Sequence, residues 1–489
     1  MKEEKGFLPD TGTCYIAYDA SVDEPHAVIK KEGFAYMTTP SIATWETIIA
    51  QNIVRILCET HLPIISNSVI RERIDAYENM KGRKLDPKQA EAVVTLSNSP
   101  VGILTGGPGT GKTTVMDALR YVLMAVLDAP TIKWCAPTGK AAARLSESVG
   151  DKALTIHREI GISYDPETYV PVDADILVCD EFSMCDEELG AALFRSIATG
   201  HRVIMLGDTN QLPSVGRGAV LRDLIRSNVI PVCRLTKTFR QASGSVLLDN
   251  IKSMQNDRNV ILKEGNDFKV CYIPESGLSE QEIASTANKM ILSEYYRMYQ
   301  KYGVDQTCVL LPYRKAGYCS NYINTQVQHM VNNPLFARHV IRESDKRLFC
   351  VNDRVMQLEN RSECVNGQVG KIVSVVPEGV TVNFGEDNNV WYGMSELEQL
   401  ELAYAMTVTK SQGSEYKGVV NVTLNSHVCG LSRNNIYTGV SRAKKECVEV
   451  CQKTALQRSF NTDANAGRLT FLTERLQNAR IAYRQRYGV

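Results

Sequence analysis

Residues Val101 to Thr114 read VGILTGGPGTGKTT. A short apolar run, VGILT, leads into GGPGTGKT, Gly106 to Thr113, and the amphipathic run TTVMDALRYVLMAVL follows it. This is the strand, loop, helix order of a phosphate-binding loop. Its glycines let backbone N–H groups turn inward on a phosphate, so Gly107, Pro108, Gly109, Thr110, Gly111 and Thr114 form the candidate cradle around Lys112 and Thr113. Lys112 is placed to reach the β and γ phosphates of ATP, and Thr113 to ligate Mg2+ at the positive end of the following helix. A chance glycine-rich turn is the competing reading, and the complete spacing disfavours it.

Outward from this loop, apolar strands alternate with amphipathic helices: IKWCA then GKAAARLSESV, DILVCD then EELGAALFRSI, and then HRVIMLGD. Such alternation predicts an α/β fold, a parallel sheet covered by helices on both faces. In DILVCDEFSM, Asp180 and Glu181 follow a buried strand and should emerge at its carboxyl edge, where open sheets of this kind bind ligands. Asp180 is the candidate metal ligand, and Glu181 the candidate base for the attacking water. A third strand ends in VIMLGDTNQLPSVGRG, which offers Gln211 as a sensor of the γ phosphate.

A second α/β set begins near Arg234, with TCVLLPY as a strand and Lys315 to Asn332 as a helix. From Phe349 to about Trp391 the pattern changes to short β segments punctuated by Asn-Gly and Gly, which reads as a small antiparallel barrel inserted into that set. Ahead of the first set, Trp45, Ile48, Ile49, Ile53, Ile56 and Leu57 recur at helical spacing.

The 489 residues suit two to four domains, and 55 basic residues balance 55 acidic ones. A polyanion would therefore be held by a local groove and not by net charge. Neither the polar opening MKEEKGFLPD nor the longest apolar run, YVLMAVL, suits a bilayer crossing, so the expectation is a cytoplasmic protein with no membrane partner. The fourteen cysteines form no CxxC pair, and Cys135 and Cys179 read as buried small hydrophobes.

Eight motifs in order resemble those of superfamily 1 DNA helicases of the RecD-like group. They are GGPGTGKT, APTGKAAARL (Ala136 to Leu145), TIH (Thr155 to His157), DEFSM, GDTNQLPSVGRG, LTKTFRQ (Leu235 to Gln241), TVTKSQGSE and YTGVSRAK (Tyr437 to Lys444), and they cover Leu85 to Val450. The resemblance implies an enzyme of the bacterial cytoplasm, or of a phage acting there, that moves 5′-to-3′ on single-stranded DNA and opens single/double-strand junctions. ATP and Mg2+ would be bound in a cleft between two RecA-like motor domains. It implies residues 81–233 as the first motor domain, with a short pin-like insertion at about 160–173. Residues 234–348 and 396–489 would form the second, 349–395 a Src-homology-3-like barrel, and 1–80 a partly helical accessory region.

By the same resemblance Gln89 recognises adenine, although a helix-start amide is the plainer reading of LDPKQ. Arg240 and Arg442 would reach the γ phosphate beside the catalytic Lys112, Glu181 and Gln211, and Gly413 and Glu415 would approach the nucleotide. Pro137, Thr138, Lys140, His157, Thr407, Ser411 and Gln412 would line the DNA path; for His157 a core role is the alternative.

The chain departs from the family's pattern at Thr409, where histidine is usual, at Phe182, where a small residue is usual, and at Ser441 in VSR. A relaxase would need a histidine cluster with a tyrosine, and the seven histidines are scattered. A DNA-binding scaffold without turnover is opposed by the intact Lys112, Asp180, Glu181, Gln211 and Arg442.

Overall fold

The computed structural model describes residues 3–6, 14–17, 26–31, 34–60, 63–161, 170–239, 244–256, 260–313, 320–385 and 388–488. The chain divides into two compact units. Unit 1 comprises Met1–Thr209, Pro213–Thr238 and Gly467–Val489, and unit 2 comprises Asn210–Leu212 and Phe239–Ala466.

Unit 1 is built on a six-stranded sheet in the order Val232–Leu235, Val101–Gly106, Arg202–Gly207, Ile176–Cys179, Ile132–Ala136, Ala153–Thr155. Every pairing in it is parallel. Successive strand side chains point to opposite faces, and the sequence fills both. Val101, Ile103, Leu177, Cys179, Val203 and Met205 belong to one core, with Ile49 and Ile53 of the helix Pro40–Glu59 and Leu472 and Leu476 of the helix Leu472–Tyr487. Leu104, Ile176, Val178, Ile204 and Leu206 belong to the other, under the helices Asn67–Lys81, Pro87–Ser97 and Lys112–Val126. Cys135 and Cys179 are fully buried on adjacent strands, with their sulfurs 3.1 Å apart.

Several expected boundaries differ. The helix Pro40–Glu59 is no accessory: its apolar stripe is part of the sheet's own core. The segment after Arg234 stays in unit 1 up to Thr238, because Val232–Leu235 is an edge strand paired with Val101–Gly106. Residues 467–489, expected in the second motor domain, fold with unit 1; Leu472 and Leu476 supply the apolar face, and Arg475 forms a buried 3.0 Å ion pair with Glu46. Ahead of Pro40 the backbone forms antiparallel strands, Glu3–Gly6, Cys14–Ala17, His26–Lys31 and Phe34–Thr38, so the helical part of residues 1–80 is Pro40–Glu59 and most of Asn67–Lys81. Most of the expected pin, 162–169, lies outside the described residues.

Unit 2 carries a five-stranded parallel sheet in the order Phe268–Tyr272, Ala443–Cys451, Tyr416–Thr423, Thr307–Leu311, Ala405–Thr407. The helices Glu280–Tyr302 and Ser320–Val331 share a core with one face through Ile291, Tyr295, Ile323 and Val327. The helices Val246–Asn256 and Arg433–Val440 share a core with the other. A second, antiparallel sheet of five strands runs Asn389–Gly393, Gly379–Asn383, Val369–Val376, Arg354–Gln357, Leu400–Leu402. Its last strand carries it beyond the expected end at 395. Val380 and Val382 are buried while Thr381 between them is not, the alternation of a sheet with one covered face.

Candidate functional site

The phosphate-binding loop leaves the strand Val101–Gly106 and enters the helix Lys112–Val126 through Gly111 at φ +83°. Gly109 is also left-handed, at φ +71°. A Cβ on Gly111 would lie 2.3 Å from the Nε2 atom of Gln89, so glycine is required there twice over, by backbone and by space. Gly111→Ala is expected to destabilise unit 1 by at least about 1–2 kcal/mol, the ordinary cost of a left-handed alanine, visible as a lowered urea midpoint. An unchanged midpoint would contradict the geometry.

Gln89 is buried, and both ends of its amide are hydrogen-bonded. Its Oε1 accepts from the Asp86 N–H at 3.0 Å, closing a capping box on the helix Pro87–Ser97, and its Nε2 donates to the Thr110 carbonyl at 3.1 Å. It braces the loop in this conformation. Lys112 Nζ donates to the Gly106 carbonyl at 2.6 Å and the Gly107 carbonyl at 3.4 Å, and Thr110 Oγ1 donates to Gly107 at 2.9 Å. Thr113 is exposed in the first helical turn, and Thr114 Oγ1 accepts from Arg83 at 3.2 Å.

Asp180 follows the strand Ile176–Cys179, as expected, and its carboxylate accepts from the Glu181 N–H at 2.8 Å. Burial first, and the charge of Glu181 second, push the Asp180 carboxyl up to about 6, against the pull of Lys112. A half-buried carboxylate raised by burial and by Glu181, and drawn down by Lys112, has the chemistry that would suit a divalent cation. Glu181 adopts φ +49°, a left-handed conformation rare for a non-glycine residue, and leads into the 3-10 turn Phe182–Met184. The large Phe182 is accommodated by full burial, edge-on to Phe194.

Pro137 and Lys140 are half-buried at the start of the helix Gly139–Val149, which Thr138 caps by accepting from the Ala141 N–H at 3.3 Å. His157 is exposed, which excludes a core role.

Within unit 2 three motifs meet. Asn434 Nδ2 donates to the carbonyls of Asn210 (3.1 Å) and Gln211 (3.3 Å), the Leu212 N–H donates to Thr438 Oγ1 (2.8 Å), and Gln412 Nε2 donates to the Leu212 carbonyl (3.4 Å). Gln211 is buried and its Oε1 has no partner. Arg442 is buried, with its guanidinium on the carbonyls of Thr438 and Ser414 and on Ser441 Oγ. Gly413 is left-handed at φ +72°, and Glu415 pairs with Lys444 at 3.1 Å. Thr407 is half-buried and caps the short helix Val408–Ser411.

Two expected strand contacts are corrected. Ser411 is fully buried and donates to the Val408 carbonyl at 2.6 Å, because the turn it closes faces inward. Gln412 is buried on Leu212. Thr409 is half-buried, and its carbonyl accepts from the Gln412 N–H at 3.2 Å. Tyr313 packs edge-on to His427 and donates to the Ser426 carbonyl, which is packing and not an open stacking face. Arg240 lies outside the described residues. Asn434 and Thr438 were not singled out from the sequence; Thr438 lies inside YTGVSRAK, and Asn434 carries no local signal.

A phosphate-binding loop beside an acidic strand end, on one of two parallel sheets flanked by helices, defines a P-loop nucleotide hydrolase with two RecA-like units. Residues 84–266 match the family model described as AAA domain, and 402–450 the one described as UvrD-like helicase C-terminal domain. The chain is 32% identical over 410 residues to the ATP-dependent RecD2 DNA helicase of Deinococcus radiodurans, an alignment covering 81% of this chain but 53% of that protein. It is 27% identical to the RecBCD enzyme subunit RecD of Haemophilus influenzae, covering 96% of this chain and 86% of that one. A solved structure of Pif1 helicases at forked double-stranded DNA aligns at 18% identity and TM-score 0.46 over 83% of this chain and 97% of that chain, too distant to add to the assignment. The chain belongs to the RecD-like group of superfamily 1 helicases. It spans about half the length of the first of these relatives. No helix among the described residues is long and apolar enough to cross a membrane.

Proposed function

We propose that this chain is an ATP-dependent DNA helicase that moves 5′-to-3′ along single-stranded DNA and opens junctions with duplex. The observation that carries this reading is the juxtaposition in unit 1 of Lys112 with the half-buried strand-end pair Asp180 and Glu181. The loop Gly107–Thr114 would hold the phosphates of ATP, Thr113 and Asp180 would hold Mg2+, which would supply charge neutralisation, and Glu181 would take the proton of the attacking water. For Lys112 to reach a phosphate it must leave the carbonyls of Gly106 and Gly107.

Gln211, with its unpartnered buried Oε1, is the sensor candidate, and Arg442 and Arg240 are the candidates for the γ phosphate. Arg442 must exchange its present carbonyl acceptors for phosphate oxygens, a favourable exchange for a forked cation. Gln89 would have to release Thr110 to read adenine. Pro137, Thr138, Lys140, His157 and Thr407 track the DNA backbone without reading sequence. The antiparallel sheet of unit 2 serves in this reading as the Src-homology-3-like element beside the strand.

The test is unwinding of duplexes carrying only a 5′ or only a 3′ single-stranded tail. Efficient, ATP-dependent opening from the 5′ tail alone is expected; opening from a 3′ tail alone would overturn the polarity.

A further inference from the structure

Arg468 stands one residue after the chain returns to unit 1 at Gly467, and Ser214 one residue after it returns at Pro213. The side chain of the first is bonded to the loop that begins with the second. Arg468 Nη1 donates to Ser214 Oγ (3.1 Å) and to the carbonyls of Gly216 (2.8 Å) and Gly218 (2.6 Å), and its Nη2 donates to the Ser214 carbonyl (2.6 Å).

Upstream of that loop, Asn210–Leu212 are held by Asn434, Thr438 and Gln412. Residues 208–219 are neither helix nor strand. Besides a bond from Ser214 Oγ to the Gly216 carbonyl, the Arg217 carbonyl accepts from the Glu187 N–H at 3.1 Å. A Cβ on Gly216 would fall 2.1 Å from the Asp186 carboxylate and one on Gly218 2.2 Å from that of Glu187, so the loop is pressed onto acidic side chains. Arg468 lies near these two acids and near Arg222.

Arg468 is held firmly in turn. Its carbonyl accepts from Arg222 Nη2 at 3.1 Å, Thr470 Oγ1 donates to Asp223 at 2.6 Å, the Phe471 N–H donates to Glu46 at 2.7 Å, and Arg475 pairs with Glu46. The loop it grips begins three residues after Gln211. A forked cation donating to several carbonyls of one irregular segment fixes that segment's path, because each bond constrains a different peptide plane.

We propose that Arg468 is a positioning residue for ATP hydrolysis: it sets the path of Ser214–Gly218 and thereby the placement of Gln211. The proposal rests on the ATPase reading above. Its experiment uses the full chain as Arg468→Ala, Arg468→Lys and Arg480→Ala. Arg480, in the helix Leu472–Tyr487 that follows Arg468, donates to the Val229 carbonyl, so its variant reports on loosening of that helix alone.

In Arg468→Ala, DNA-stimulated kcat is expected to fall about 10- to 100-fold, as misplacement of a catalytic group does, with KM for ATP within about two-fold. Arg468→Lys, a point charge without the fork, is expected to recover only part of it, and Arg480→Ala to keep wild-type kcat. Hydrogen exchange of the amides in 213–219 is expected to speed up in Arg468→Ala and not in Arg480→Ala. Wild-type kcat in Arg468→Ala, or an equal loss in Arg480→Ala, overturns the proposal. If wild type itself shows no DNA-stimulated turnover, the ATPase reading falls, and unchanged loop exchange in Arg468→Ala overturns the positioning claim separately.

Discussion

Glu181→Gln is expected to lower ATP turnover roughly 10²–10⁴-fold, the usual contribution of a positioned general base, while leaving nucleotide binding close to wild type. Glutamine keeps the length and shape of the side chain, and the backbone bond from residue 181 to Asp180 does not involve it. What is lost is the capacity to take a proton, together with the negative charge that helps to hold the Asp180 carboxyl up. Lys112→Ala is expected to fail differently. Its ammonium is the one placed to follow a phosphate into the loop, so the variant should lose affinity for ATP together with about 10²–10³-fold in turnover. Phosphate release with single-stranded DNA present, set beside binding of a fluorescent ATP analogue, separates the two. Turnover in Glu181→Gln within ten-fold of wild type would remove Glu181 from the role of base.

These assignments rest on what a sequence displays best, features local in the chain. The loop Gly106–Thr113 announces itself by spacing, and the strands around it by alternation with helices, because a buried parallel strand must be apolar on both faces. Asp86 and Gln89 are spaced as a capping box, so a helix start that holds Gln89 in place is legible in LDPKQ. The placement of 467–489 was not readable. Arg475 finds Glu46 across 429 residues, and no local pattern encodes a partner so remote. Ser411 shows the same on a smaller scale: in a helix of four residues no periodicity says which side chain turns inward, and this one donates to the Val408 carbonyl. Arg468 gave no signal at all, since its meaning lies in the loop that it grips.

The stability of unit 1 is expected to fall as pH rises from about 4.5 to about 8, with Glu187 as the main cause. Glu187 is 1% exposed and neither carboxylate oxygen has a hydrogen-bond partner. Burial, and then the charges of Glu46, Asp223 and Asp186, push its carboxyl up to about 8, with Arg468 opposing them. In that interval the folded chain holds a proton that the unfolded chain has released, so raising the pH favours unfolding, and the full span amounts to about 4 kcal/mol. Glu46 is raised as well, by burial, so its smaller effect has the same sign although Arg475 stays paired with it. The carboxyl lies under Gly218, where the structure has no room for a Cβ and no donor for the acid. Glu187→Gln removes the titration and retains the volume. Urea melts at pH 5.5 and 8.5 should therefore show wild type losing stability between the two, and the variant losing much less. The variant should be the more stable protein at pH 8.5, because a neutral amide avoids the buried charge that wild type must carry there. Parallel pH dependences of the two proteins would show that Glu187 shares its proton equilibrium with the unfolded chain, against the burial seen here.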